Sequence, residues 1–151
     1  MSRTYEQMLT NLRHEIESGR ARPAVLDSAI ASLLSDGNER LPGDLLSLLS
    51  DEVERDEGMF SIIHAAESYD DGVYVRALLS VFPRLMTASP RWASIVLMRV
   101  LNSETEQAEL VRQLRAASAS TKEAMHEMCE RINQVSPRFL SKTVPVSMAA
   151  S

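Results

Sequence analysis

Cysteine, glycine and long apolar runs are all scarce in this chain of 151 residues. Its single cysteine, Cys129, cannot form a disulfide within the chain, which is usual for proteins of a reducing compartment. With only five glycines, the chain contains no glycine-rich phosphate-binding loop. No stretch approaches the roughly 18 apolar residues that a membrane-spanning helix needs, and residues 1–22 lack the apolar centre of a signal peptide. We therefore expect a cytoplasmic protein without a membrane segment.

Basic residues are also in deficit, since 16 lysines and arginines face 21 acidic residues and the formal net charge is −5. Direct binding to nucleic acid depends on neutralising phosphates, so we do not expect it here. Eight of the acidic residues fall within positions 51–71, where Arg55 is the one basic residue, and this segment carries a formal charge of −7. Such a concentrated acidic segment favours a basic protein partner, because opposite charge raises the rate and selectivity of association.

A solvated helix face or loop is the alternative interpretation of this acidic segment. Two tyrosines flank the acids and could act as aromatic anchors in an interface, or could pack half-buried in a turn. The predicted partner-binding residues are these ten side chains: Asp51, Glu52, Glu54, Asp56, Glu57, Glu67, Tyr69, Asp70, Asp71 and Tyr74.

Apolar residues recur at helical spacing through most of the chain, and no segment alternates with a period of two. The pattern predicts an all-α fold of about eight helices, packed as antiparallel hairpins in a single domain over residues 1–151. The third helix is expected over about residues 44–53. Pro83 lies inside the fifth helix, where we expect a kink or an early stop. The segment from about 137 to 151 has no period and is predicted to form an extended C-terminal strap.

The starts of the last three helices have clear signals. Ser89 followed by Pro90 is an N-cap before a first-turn proline, which predicts the start of the sixth helix. That helix is the most apolar segment, so Trp92 is expected to be buried. Capping boxes are predicted at the next two helix starts, Ser103-x-x-Glu106 and Ser120-x-x-Glu123.

One short motif occurs twice. Ser89-Pro90-Arg91-Trp92 returns 47 residues later as Ser136-Pro137-Arg138-Phe139. An offset of 47 lies within the period of HEAT-like repeats, so a HEAT-like stacking of the hairpins is one option. The other option is that a common helix start has simply been used twice.

Two pairs of side chains have the spacing of metal ligands. His64 and Glu67 stand three residues apart, as do His126 and Cys129, which places each pair on one face of a helix. Neither pair has a third and a fourth ligand nearby in a matching pattern. We therefore interpret His64 as a surface or boundary residue and Cys129 as a buried, inert thiol. We predict no catalytic, cofactor-binding or metal-binding residue and no cofactor.

The segment from Asp56 to Ser103 carries a family resemblance. Its elements are His64-Ala65-Ala66-Glu67, the Asp70-Asp71 turn, Tyr74, Ser89-Pro90-x-Trp92 and Met98-Arg99-Val100-Leu101-Asn102. With these elements the chain resembles the immunity protein 30 family of bacterial polymorphic-toxin systems. Members are cognate inhibitors of contact-dependent growth-inhibition toxins and related effectors. The resemblance implies a non-enzymatic inhibitor of a toxin domain, often a nuclease, but it assigns no binding residue.

Three hypotheses for the function follow. The first is a cytoplasmic immunity protein whose acidic surface occludes the active site or substrate groove of a basic toxin domain. In a nuclease, that surface would occupy the basic cleft in place of the phosphates of the nucleic acid. The second is a helical-repeat adaptor for protein–protein interaction, with no toxin. The third is a small metal-dependent enzyme that uses His64, Glu67 and either Asp70 or Asp71. The oligomeric state is left open.

Overall fold

The chain is all-α in its computed structural model, which describes residues 4–151. This part of the chain forms nine α-helices and one 3₁₀ turn at Pro137–Phe139, and it contains no strand, so the predicted all-α fold is confirmed. The helices are α1 Tyr5–Glu17, α2 Pro23–Asp36, α3 Leu41–Leu46, α4 Glu57–Glu67, α5 Asp71–Ala88, α6 Pro90–Leu101, α7 Glu104–Leu114, α8 Ala119–Val135 and α9 Leu140–Ala149.

Serine side chains cap α7 and α8, although one of the two caps is not the predicted residue. The Ser103 hydroxyl accepts a hydrogen bond from the Glu106 amide at 3.3 Å, which is the serine half of the predicted box. The predicted box at Ser120 is wrong, because the cap of α8 is Ser118, whose hydroxyl accepts from the Thr121 amide at 3.3 Å. Both serines supply an acceptor for a backbone N–H that has no partner inside its own helix.

Two helix boundaries in the first half of the domain differ from the sequence predictions. The third helix covers Leu41–Leu46 rather than 44–53. α5 continues through Pro83 to Ala88, so the predicted early stop is wrong. Burial of Phe82 and Leu85 on either side of the proline explains the continuation, because tertiary packing offsets the backbone hydrogen bond that proline removes.

The predicted extended strap at the C-terminus is also wrong, because Leu140–Ala149 forms α9. This helix packs against α7 and α8 and buries Thr143, Val146 and Ala149. A helix of this length is marginal on its own in water, and Pro145 lies inside it. Contacts with the two neighbouring helices therefore stabilise α9.

The buried side chains form one contiguous apolar cluster with α5 at its centre. α5 packs against α3, α6, α7 and α8, and α1 packs against α2 at the N-terminal end of the described chain. Trp92 on α6 is 0% exposed, so its predicted burial is confirmed. This arrangement leaves one side of α4 and one side of α6 facing solvent.

The repeated Ser-Pro motif has nearly the same backbone at both sites. Ser89 has φ −144° and ψ 66°, and Ser136 has φ −135° and ψ 77°. Each serine amide donates to the carbonyl four residues earlier at 2.7 Å. The motif therefore forms the same tight corner between α5 and α6 as between α8 and the 3₁₀ turn that leads into α9.

Candidate protein-binding face

The acidic segment is divided in two by α4. Five of its acids precede this helix or begin it, and three lie at its end: the leading group is Asp51, Glu52, Glu54, Asp56 and Glu57, and the trailing group is Glu67, Asp70 and Asp71. At 1.5 Å per residue the eleven-residue helix separates them by about 15 Å. Exposed charges are screened over roughly 8 Å at physiological salt, so the two groups act as separate sites rather than as one patch.

α6 runs alongside α4 in the same direction, and an ion pair joins the two helices at each end. Arg91 Nη2 donates to Asp56 Oδ2 at 2.6 Å, and Arg91 Nη1 donates to Asp56 Oδ1 at 3.1 Å. Arg99 Nε and Nη2 donate to the two oxygens of Glu67 at 2.8 Å each. The −7 of the acidic segment is thereby reduced to −5.

The two ion pairs differ in burial and therefore in strength. Asp56 and Arg91 are 42% and 51% exposed, so solvent screens their attraction and the pair contributes little to stability. The hydrogen bonds from Arg91 nonetheless hold the pKa of Asp56 below its ordinary value. Glu67 and Arg99 are 19% and 37% exposed, so their bidentate pair is better shielded from solvent.

Between the ion pairs lies a short apolar strip. The half-buried Phe60 ring packs edge-on against Trp92, with centroids 5.3 Å apart and planes at 79°. The exposed His64 lies 6.3 Å from the Phe60 ring, and Ile95 is half-buried on α6. An apolar centre with charged ends is the usual composition of a protein-binding surface. We call this surface the α4–α6 face: Asp56, Glu57, Phe60, His64, Glu67, Arg91, Ile95 and Arg99.

Two of the predicted site residues cap helices within the fold. Asp51 caps α6, because its two carboxylate oxygens accept from the amides of Arg91 at 3.1 Å and Trp92 at 3.3 Å. The predicted cap, Ser89, donates its hydroxyl to the Leu49 carbonyl at 2.9 Å instead. Asp70 caps α5 by accepting from the Val73 amide at 3.0 Å.

Four of the predicted acids have carboxylates without a hydrogen bond or ion pair inside the described chain. These are Glu52, Glu54, Glu57 and Asp71. The first three are exposed, and Asp71 is half-buried. They are therefore the members of the acidic segment best placed to meet a partner's cations.

The two predicted tyrosine anchors occupy different environments. Tyr74 is 1% exposed, so it does not present its ring to a partner, and its burial raises the pKa of the phenol. Tyr69 is half-buried and lines a groove between α3 and α5 together with Arg76 and Arg84. Half-buried packing in a turn, the alternative considered for both side chains, describes Tyr69 in the bend between α4 and α5, whereas Tyr74 is fully buried inside α5.

The metal-ligand pairs do not gather into a site. Within residues 4–151, no three histidine, cysteine, aspartate or glutamate side chains come close enough together to hold a metal ion. Glu67 is engaged by Arg99, and His64 points to solvent. Cys129 is buried, and desolvation raises its pKa to about 11, so the thiol stays protonated and unreactive.

Replacing Asp51 by alanine should lower the free energy of unfolding by about 0.5–2 kcal/mol, the range for loss of an N-cap. Asp51→Asn keeps the acceptor and should cost less. Glu52→Ala is the matched control, because this exposed neighbour has no bonded partner for its carboxylate. Urea unfolding followed by circular dichroism measures all three, and equal stability of Asp51→Ala and Glu52→Ala would show that the cap is unimportant.

Sequence reasoning missed Arg91 and Arg99 as partners of the acids. Their spacing of eight residues places both on one face of α6, and the spacing of eleven between Asp56 and Glu67 places both on one face of α4. Each spacing was a usable signal that the two side chains share a helix face. The parallel contact between the two helices is what turns them into ion pairs.

Comparison with known proteins gave one family. A family model described as Immunity protein 30 matches residues 5–110, more than two thirds of the chain. The matched segment contains all of the α4–α6 face. No match was found among curated proteins or among solved structures. Of the helices described, none is both long and apolar enough to cross a membrane.

Proposed function

Because the chain belongs to the immunity protein 30 family, we propose that it binds a cognate toxin domain in the cytoplasm and neutralises it by occluding the toxin's active site. The supporting observation is the α4–α6 face, which lies inside the matched segment and combines an apolar strip with two ion pairs and the free carboxylate of Glu57. Binding of this kind requires no catalytic residue and no cofactor in the immunity protein.

The leading group of acids favours a basic toxin. Glu52, Glu54 and Glu57 project from the leading group without an internal partner, so their charge is available to a partner. A nuclease presents a basic cleft that normally binds phosphates, and an acidic protein surface can occupy it. Long-range attraction would speed the encounter, while the strip around Phe60 and Ile95 would supply the apolar contact that slows dissociation.

Reversing charge at Glu52, Glu54 and Glu57 by lysine should slow association with the toxin by about tenfold or more at low salt, with a smaller change in dissociation. Raising the salt concentration should reduce the difference from wild type, because these exposed charges are screened. The candidate toxin for this test is the product of the gene next to that of this protein, and co-purification with the protein identifies it as the partner. Association and dissociation rates are measured by surface plasmon resonance at two salt concentrations, alongside protection of toxin-expressing cells.

A matched control has the same change in net charge elsewhere on the protein. Asp36, Glu39 and Glu123 are exposed and have no ion pair in the described chain; they lie at the end of α2, in the turn after it and on α8. Their triple lysine variant should bind at nearly the wild-type rate. If both triple variants associated equally slowly, net charge alone would explain the effect. If the Glu52, Glu54 and Glu57 variant bound at the wild-type rate and independently of salt, the leading group would not be part of the interface. Failure of the neighbouring gene product to bind at all would favour the adaptor hypothesis.

A further inference from the structure

The α5–α6 hairpin and the α8–α9 hairpin are two copies of one pattern. An offset of 47 residues carries α5 onto positions 118–135, and α8 covers Ala119–Val135. The same offset carries α6 onto positions 137–148, which the 3₁₀ turn and α9 cover. The shared Ser-Pro corner lies between the two helices in both copies. The repeat therefore extends over a whole hairpin rather than over four residues.

One face is buried in both copies of the hairpin. Pairs of positions 47 residues apart share it, and both members of each pair are buried: Tyr74 and Thr121, Leu78 and Met125, Val81 and Met128, Phe82 and Cys129, Leu85 and Ile132, Trp92 and Phe139, Val96 and Thr143. Each hairpin therefore turns the same side toward the interior of the domain.

A second face is buried only in the first copy. On α6 it consists of Ala93, Leu97 and Leu101, which are 0%, 0% and 3% exposed. Later helices of the chain lie against the first copy, since α7 packs on α6 and α8 packs on α5. The positions 47 residues further on form an exposed line along α9, which we call the α9 ridge: Leu140 at 53%, Val144 at 42% and Met148 at 72% exposed.

α8 responds to the same loss of cover by a change of residue type. Val75, Leu79 and Met86 are buried on α5, and their counterparts on α8 are all polar: Lys122, His126 and Asn133. A polar outer face is how a terminal repeat ends a stack in water. α9 keeps large apolar side chains at the equivalent positions. The α9 ridge therefore has the composition of a covered face, although no described part of the chain covers it.

The exposed surface of α9 also carries no charge. Its exposed residues are Ser141, Pro145 and the α9 ridge, whereas every other described helix of ten or more residues exposes at least one charged side chain. The one cation of α9, Lys142, bonds to the Asn102 side chain. Lys142 is two residues from Leu140 and from Val144, which places it on the opposite side of the helix. The ridge therefore points away from the end of α6.

We propose that the α9 ridge packs against the α9 ridge of a second copy of this chain. The corresponding face of the first hairpin lies within a stack of helices of this same chain. Two copies with a formal charge of −5 each repel one another, so self-association favours a surface without charge. This inference goes beyond the proposed function, because toxin binding is assigned to the α4–α6 face.

The spacing of the ridge makes it complementary to itself. Side chains at every fourth position form a ridge that packs beside a like ridge, with the helix axes crossing at about −50°. In an antiparallel pair about a twofold axis, the two Val144 side chains meet at the axis. Leu140 of each copy then lies beside Met148 of the other.

The ridge is short, so the dimer is a reversible one. Three positions spaced by four span about 12 Å along the helix, whereas a standard stable interface buries roughly 800 Å² on each partner. We expect a dissociation constant on the order of 100 µM. The chain should therefore be a monomer at low micromolar concentration and largely a dimer near millimolar concentration.

Sedimentation velocity of the full chain, from about 10 µM to about 1 mM, measures this association. Val144→Glu brings two carboxylates together at the axis and should leave the chain monomeric over the whole range. Val25→Glu is the matched control, because Val25 on α2 is 40% exposed and Val144 is 42% exposed. It should dimerise like wild type. Both substitutions are at exposed positions, so both variants should keep the wild-type Tm.

A charge pair tests which side chains meet. Leu140→Lys alone and Met148→Glu alone should each weaken dimerisation by about tenfold, because each places an unpaired charge in the contact. The double variant should recover the wild-type dissociation constant, since lysine of one copy then lies beside glutamate of the other. The two positions are about 12 Å apart within one helix, so the recovery cannot arise inside a single copy.

Several results would overturn the pairing of α9 ridges. These are a wild-type chain that stays monomeric at about 1 mM, a Val144→Glu variant that dimerises like wild type, loss of the dimer in Val25→Glu, and no recovery in the double variant. Species larger than a dimer would indicate an open-ended contact instead of a twofold one. A monomeric chain whose NMR signals at residues 140–148 shift with the candidate toxin would assign the ridge to the toxin. All of these results leave the test of Glu52, Glu54 and Glu57 unaffected.

Discussion

Truncating Trp92 to alanine should lower the free energy of unfolding by about 3–5 kcal/mol, which is a large part of the stability of a domain of this size. The indole is 0% exposed and packs against the Phe60 ring at 5.3 Å. Its N–H has no hydrogen-bond partner in the described structure, so packing rather than hydrogen bonding supplies its contribution. Urea unfolding followed by circular dichroism measures the loss.

Two further variants serve as controls for Trp92→Ala. Val135→Ala removes apolar atoms from a side chain that is 84% exposed, and it should change stability by no more than about 0.5 kcal/mol. Trp92→Phe keeps most of the packing and should lie between wild type and Trp92→Ala. Because Trp92 lies directly beneath the α4–α6 face, toxin binding by these variants has to be compared at equal folded fraction. Wild-type stability of Trp92→Ala would contradict the packing described here.

Adding a single methyl group at Gly58 is the second large effect. A Cβ at this position would stand 2.2 Å from the Ala21 carbonyl oxygen and 2.6 Å from Leu26 Cδ1. The oxygen belongs to the backbone of a buried residue, already held at φ 42°, and it cannot swing aside as a side chain can. Overpacking of this kind costs about 1–3 kcal/mol and sometimes more, so Gly58→Ala should be strongly destabilising.

Gly43 provides the matched control for Gly58. Both glycines lie inside helices, but a Cβ at Gly43 would meet only Val81 Cγ1 at 3.8 Å, an ordinary contact. Gly43→Ala should therefore be neutral or stabilising by up to about 1 kcal/mol, through the better helix propensity of alanine. Thermal unfolding of both variants gives the comparison. If the two alanines behaved alike, the close approach of α4 to the α1–α2 loop would be wrong.

The sequence by itself determined the class of the fold and the burial of its aromatic centre. Helical periodicity and cap residues are local signals, because they depend on side chains within about four positions of one another. For that reason the all-α class and the burial of Trp92 could be predicted. The resemblance to the immunity protein 30 family was also contained in short local motifs, and the family match confirms it.

Only the tertiary structure decided what the acids do. A count along the chain gave one segment of −7, but charges interact through space, and α4 places the two halves of that segment about 15 Å apart. Asp51 caps a helix that begins 39 residues later, and Glu67 pairs with Arg99, 32 residues away. No local rule connects positions at such separations. The same reason explains α9, whose helical state comes from contact with α7 and α8.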